Sequence, residues 1–170
     1  MARVYTRLDM VRQRVDEMLL AIDDDNYRRA GYVHMYGSGF AAAIIALKRG
    51  HNTEYAELAN IAGILHDYIS YENRELDNHD HAHLCEPIVR KLLIDLKIFA
   101  DSEIEMICSA VYNHSDKDDI DSEFDEIVKD ADVMHHWLRN PAEQPFSNEI
   151  ERVKKLSEEF GFGFSIKITP

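Results

Sequence analysis

Cysteine is scarce. The chain carries two, Cys85 and Cys108, in different segments, which excludes a disulfide framework and a CxxC zinc pattern. Both are expected as small buried hydrophobes rather than nucleophiles. Long apolar runs are missing as well: nothing approaches the about 20 residues that a membrane helix needs. Met1 to Leu20 is charged and has no continuous apolar core, so no signal peptide is expected, and the expectation is a soluble cytoplasmic protein. Positive charge is in deficit, with 19 Lys and Arg against 32 Asp and Glu and a formal net charge of -13. Such a surface repels nucleic acid polymers and anionic membranes at long range. An anionic substrate would need a local reversal of that field, which a bound metal cation supplies. No convincing period-2 strand precedes the C-terminal tail, and there is no internal repeat.

Helical periodicity fills the rest. At 170 residues and 45% hydrophobic the chain is expected to be one domain with a real core, residues 1–170 in all. Leu8, Val11, Val15, Met18 and Ile22 form one stripe of a first helix, ended by Asp23-Asp24-Asp25-Asn26. After a short segment Tyr27–Ala30, a small-residue helix from His34 to Arg49 is apolar on most sides and reads as central, with Gly50 as its stop. Asn52 or Thr53 caps a helix whose core face, Leu58, Ile61, Ala62 and Leu65, runs into His66 and Asp67. A polar loop follows, Ser70 to Asp80. Leu84, Ile88 and Leu92 restart the period, with Pro87 near the first turn. Ser102 and Glu105 spell a capping box before Ile104, Ile107, Cys108 and Val111. Asp121 is placed to cap a helix carrying Phe124, Ile127, Val128, Ala131 and Met134, broken at Asn140-Pro141. Ser147 begins a last helix with Ile150, Val153, Leu156 and Phe160. The tail from Gly161 to Ile168 alternates and reads as a strand or as a segment lying on the surface. The fold class is therefore all-α, a compact bundle of about seven or eight helices.

Five metal-competent side chains sit at the edges of apolar helical faces: His34, the adjacent His66 and Asp67, His114 and Asp132. A charge-capable group at the end of a buried row is costly unless it is paired, hydrogen-bonded or bound to a metal, and helices that each contribute such a group are how a bundle builds an internal metal site. Asp130 competes with Asp132. The two point about 200° apart on a helix, so one ion can hardly take both, and phase alone does not choose. His79 and His83 are expected to be solvated, and His135 and His136 to pack or face water. The acidic runs at residues 23–25 and 116–121 read as turns and caps; the second lacks the glycine and the terminal glutamate of a calcium loop.

The order His34, His66-Asp67, Asp132 resembles the HD superfamily, named for its histidine-aspartate doublet. Ala62-Gly63-Ile64-Leu65-His66-Asp67 is similar to the family's helix end, Ile107 to Ser115 to the segment around its downstream histidine, and Val128-Lys129-Asp130-Ala131-Asp132 to its Ala-Asp closing motif. The resemblance covers about residues 31–136, with the first and last helices outside it. It implies the family's α-helical core and metal-dependent phosphohydrolysis of a small phosphorylated molecule such as a nucleotide. His34, His66, Asp67 and Asp132 would hold a first ion, and Asp67 would orient or deprotonate the attacking water. His81 and His114 resemble the histidines of members with a second ion, in which case Asp67 would bridge two. Mixed His and Asp ligation suits Mn, Fe, Co, Ni or Zn, one or two ions. Two alternatives stand beside this: a di-iron HD-type oxygenase, and a non-catalytic helical regulatory module with a structural metal. Tyr68-Ile69-Ser70 replaces the Gly-Lys that follows the doublet in many members. That leaves the phosphate-binding group open, with Arg90, Lys91 and Lys117 as the substitutes nearest in sequence.

Overall fold

A computed structural model describes residues 5–74, 80–139 and 144–162. Among these residues there are eight helices and no strand: α1 (Arg7–Leu20), α2 (Asp25–Lys48), α3 (Thr53–Leu65), α4 (Tyr68–Asn73), α5 (His81–Leu96), α6 (Asp101–Asn113), α7 (Glu123–Arg139) and α8 (Ile150–Phe160). The all-α expectation holds. The alternating tail beyond Phe162 lies outside the described residues, as do His79 and the Asn140-Pro141 break.

Local chemistry explains most boundaries. Thr6 and Asp9 satisfy each other's backbone at the start of α1, where Asp9 N–H donates to Thr6 Oγ1 at 3.1 Å and Thr6 N–H to Asp9 Oδ2 at 3.0 Å. Val11, Val15, Met18 and Leu19 are its buried face. The acidic run after α1 ends one helix and also starts the next. Asp24 Oδ1 accepts from the backbone N–H groups of Asn26 and Tyr27 at 2.9 and 3.0 Å, which satisfies donors that a helix start leaves orphaned. Helix α2 is therefore continuous from Asp25, absorbs the segment expected to precede it, and carries His34 in its third turn rather than at its opening. Gly50, at φ +90°, takes the left-handed conformation that stops the chain after α2.

Of the two caps expected for α3, Asn52 is the one used, accepting from Tyr55 N–H at 2.9 Å. Helices α6 and α7 start differently from expectation. At α6 the cap lies two residues earlier than the Ser102/Glu105 spelling: Glu103 Oε2 accepts from Ala100 N–H at 2.8 Å, and Glu105 instead pairs with Arg90. At α7, Ser122 Oγ accepts from Asp125 N–H at 3.2 Å. Asp121, the expected cap, gives its carboxylate to Lys129 Nζ at 2.5 Å. The first part of the expected polar loop is helical, since α4 buries Tyr68, Ser70 and Tyr71, and Arg74 ends it in the left-handed region at φ 60°. In α5 the inward row is Ala82, Cys85, Val89 and Leu93, one position round from the Leu84–Ile88–Leu92 row; Leu84 and Ile88 are exposed.

Helix α2 is the hub, packed between α3 and α7. Contrary to the expectation that no stretch would reach membrane length, it is also the one described helix long and apolar enough to cross a membrane by length and composition, and 44% of that window is buried within the bundle. Against α3 the approach is backbone to backbone. A Cβ added to Gly63 would lie 2.8 Å from the Ser38 carbonyl oxygen and 2.9 Å from Gly39 Cα, and one added to Gly39 would lie 2.9 Å from the Asn60 carbonyl oxygen. Two glycines thus let the backbones touch, on the helix that carries His34 and the one that ends at His66.

Candidate metal centre

The ends of α3 and α6 and the middles of α2 and α7 converge. His34 Nε2 lies 3.1 Å from His66 Nε2 and 3.0 Å from Asp67 Oδ2. His66 Nε2 lies 3.4 Å from both Asp67 Oδ2 and Asp132 Oδ1, and His34 Nε2 is 3.5 Å from Asp132 Oδ1. On the other side of the same carboxylate, Asp67 Oδ1 is 3.3 Å from His81 Nε2 and 3.4 Å from His114 Nε2. His81 and His114 face each other Nε2 to Nε2 at 2.9 Å. Nitrogen and oxygen donors held about 2.1 Å from one ion lie about 3.0–3.4 Å apart at ordinary coordination angles. The spacing fits two adjacent ligand sets that share Asp67, one oxygen to each. Two three-residue groups, His34 with His66 and Asp132 and His66 with Asp67 and His114, have all their donor atoms within 4.8 Å of one another.

Proton bookkeeping strengthens the fit. His66 Nδ1 is 2.7 Å from the Gly63 carbonyl oxygen, and His114 Nδ1 is 2.7 Å from that of Val111. A carbonyl only accepts, so each Nδ1 carries the proton and each neutral ring turns its Nε2 lone pair toward the carboxylates. Asp67 Oδ1 and Asp132 Oδ1 are buried and make no hydrogen bond. Lone pairs facing lone pairs in a dry site is a costly arrangement that a cation resolves.

The electrostatics agree. Burial alone would raise Asp67 and Asp132. His66 and the other facing imidazoles hold Asp67 well below the usual carboxylate range, and Lys117 with His136 does so for Asp132. Burial pushes His34 down and His114 down to about 4. Burial also lowers His66, but the Asp67 and Asp132 carboxylates outweigh it and bring it up to about 9. With no cation present, a proton takes that lone pair.

The six residues singled out in the sequence, His34, His66, Asp67, His81, His114 and Asp132, are thus brought together. Asp130 is not among them, because its carboxylate takes Arg49 at 2.7 Å and Arg152 at 3.0 Å. Arg90 and Lys91 are engaged away from the cluster, with Glu86 and Glu105 and with Asp95. Lys117 is at the cluster, buried, with Nζ donating to Asp132 Oδ2 at 2.7 Å and to the His114 carbonyl at 2.6 Å. His83 pairs with Asp80 and stacks on Tyr112. Both cysteines are buried, and burial raises each thiol to about 12.

Three further residues stand at the site: His135 and His136, which the sequence led us to expect packed or facing water, and Glu149, which it did not single out. His135 lies against His34, Nδ1 to Nδ1 at 3.1 Å. His136 reaches Asp132, and Glu149 backs His136. His136 had a legible signal, since it stands one helical turn after Asp132 on the same face. Glu149 had none.

The HD domain family model matches residues 31–137. No curated protein and no solved structure matches the chain.

Proposed function

This chain belongs to the HD domain family, metal-dependent phosphohydrolases in the main, and we propose that it is such a hydrolase, acting on a small phosphorylated molecule of the nucleotide class. The observation that carries the reading is the Asp67 carboxylate, with one oxygen turned to His34 and His66 and the other to His81 and His114. A divalent transition ion held there supplies Lewis acidity toward a phosphoryl oxygen and a water of lowered pKa. The chain's own residues do the rest. Gly63 and Val111 fix two imidazoles through their Nδ1 protons. Lys117 occupies one oxygen of Asp132 and leaves the other for the cluster. Asp67, ionised and central, is the group placed to orient an attacking water. The substrate's negative charge is met by the centre itself, in a protein whose overall charge would repel it.

The test is elemental analysis of protein purified without added metal or chelator, beside Asp67→Ala, followed by a panel of phosphate mono- and diesters with manganese, zinc, cobalt, nickel and iron supplied in turn. One or two equivalents lost in the variant, with hydrolysis lost in parallel, is the expected result. A metal-replete protein inactive on the whole panel would sink the reading.

A second reading, a di-iron oxygenase, is favoured by the imidazole-rich donor set, four histidines to two carboxylates. Bound iron with substrate-dependent oxygen uptake would select it over hydrolysis. A metal that is retained without any exchangeable position would point instead to a structural role.

A further inference from the structure

Resting on that metal-centre reading, the geometry points to one more ligand: we propose that His136 is a donor to the ion held by His34, His66, Asp67 and Asp132, and that Glu149 orients it. Asp132 and His136 are four residues apart on α7, so both side chains leave the same face one turn apart. His136 Nε2 lies 3.5 Å from Asp132 Oδ1. That oxygen also faces Nε2 of His34 at 3.5 Å and of His66 at 3.4 Å, and it makes no hydrogen bond. Three imidazole nitrogens therefore surround one orphaned carboxylate oxygen.

The far side of the ring repeats the arrangement of His66 and His114. His136 Nδ1 is 3.3 Å from Glu149 Oε1. A carboxylate accepts, so the proton sits on Nδ1 and the Nε2 lone pair is left for the cluster. Where His66 and His114 use a backbone carbonyl, His136 uses a carboxylate, the outer partner that most raises an imidazole's strength as a ligand. Glu149 is itself built in: it is 3% exposed, and its Oε2 accepts from Phe146 N–H at 3.0 Å. The His136 ring is further held by stacking on His34, at 5.0 Å between centroids and 13° between planes. Its side chain is 31% exposed against 1% for His66, which places this donor at the solvent edge of the centre. Glu149 lies beyond residues 31–137, the span of the family match, so the segment leading into α8 contributes an arm to a centre that the family core otherwise builds.

The competing account is a purely structural ion pair, with a protonated His136 between Asp132 and Glu149. Cobalt(II) titrated into metal-free full-length protein separates the two through its visible absorption. The expected result for His136→Gln is a loss of affinity for one equivalent greater than the about 10–100-fold typical of removing an outer partner, with a changed absorption envelope. Glu149→Gln, which keeps the shape of the arm, is expected to weaken the same equivalent by a smaller factor with the envelope kept. Wild-type affinity and spectrum in both variants, with only the metal-free melting temperature lowered, would overturn the proposal in favour of the ion pair. Wild-type protein that takes up no cobalt, zinc or manganese would overturn the metal-centre reading and this inference with it.

Discussion

Lys117 ties Asp132 to His114, with Nζ 2.7 Å from the carboxylate Oδ2 of the one and 2.6 Å from the carbonyl oxygen of the other. A residue between α6 and α7 thereby joins the two ligand sets and spends one of the two oxygens of Asp132. Removing a single partner of a buried pair leaves the other charge uncompensated. Lys117→Met is expected to destabilise the metal-free protein by about 3–5 kcal/mol, measured by urea unfolding with chelator present. A change within 1 kcal/mol would show that the pair is not formed in solution.

The glycine contact between α2 and α3 predicts a different pattern. Gly63→Ala puts a methyl group 2.8 Å from a backbone oxygen that cannot move without its helix. The expected cost is about 1–3 kcal/mol. Metal content should fall as well, because parting the helices widens the 3.1 Å gap between His34 and His66. Gly50→Ala also costs stability, since Gly50 sits at φ +90°, but it should leave metal content unchanged. Thermal melting and elemental analysis of the two variants side by side check this.

The doublet was legible in the sequence because two signals coincide there: an apolar run at helical spacing and two adjacent ligand-type side chains at its end. His34, His114 and Asp132 could be read for the same reason, each standing on an inward row. The choice between Asp132 and Asp130 was not legible. It depends on Arg49 and Arg152, which are 81 and 22 residues from Asp130 along the chain. The start of α2 was misplaced because Asp24 serves as a helix start within a run that also ends α1. The α6 cap differs from expectation because Ser102 and Glu105 spell the better box, but Arg90 claims Glu105 while Glu103 reaches the Ala100 N–H. Glu149 was invisible, as nothing local distinguishes it from the other glutamates near it.

Metal uptake should depend on pH in a stated direction. His66 ordinarily titrates near 6.5 and is raised to about 9 in the metal-free fold. Its protonation therefore stabilises that fold below pH 6.5, and the contribution is lost as pH rises through about 9. An ion must displace this proton, so apparent affinity should climb across the same interval and level off above it. Melting curves at pH 6.5 and 9, with and without zinc, should show the metal-induced rise in Tm growing with pH. A rise that shrinks with pH would contradict the assignment.

Thiol chemistry gives a quick check on packing. Cys85 and Cys108 are fully buried, with thiols raised to about 12 by burial, so neither should react with a thiol reagent in native protein at pH 8, and both should react at once in guanidinium. Rapid labelling of either in native protein would mean that the α5–α6 layer opens.

If each oxygen of Asp67 serves its own ion, the shared carboxylate would link the two occupancies thermodynamically. An ion in one set draws on the same negative charge that the other would use, and linkage requires the penalty to be reciprocal. Loading should therefore be anticooperative, with a window of metal concentration in which singly occupied protein predominates. Within that window the amount of free metal, rather than the amount of protein, would set how much of the population carries a complete centre.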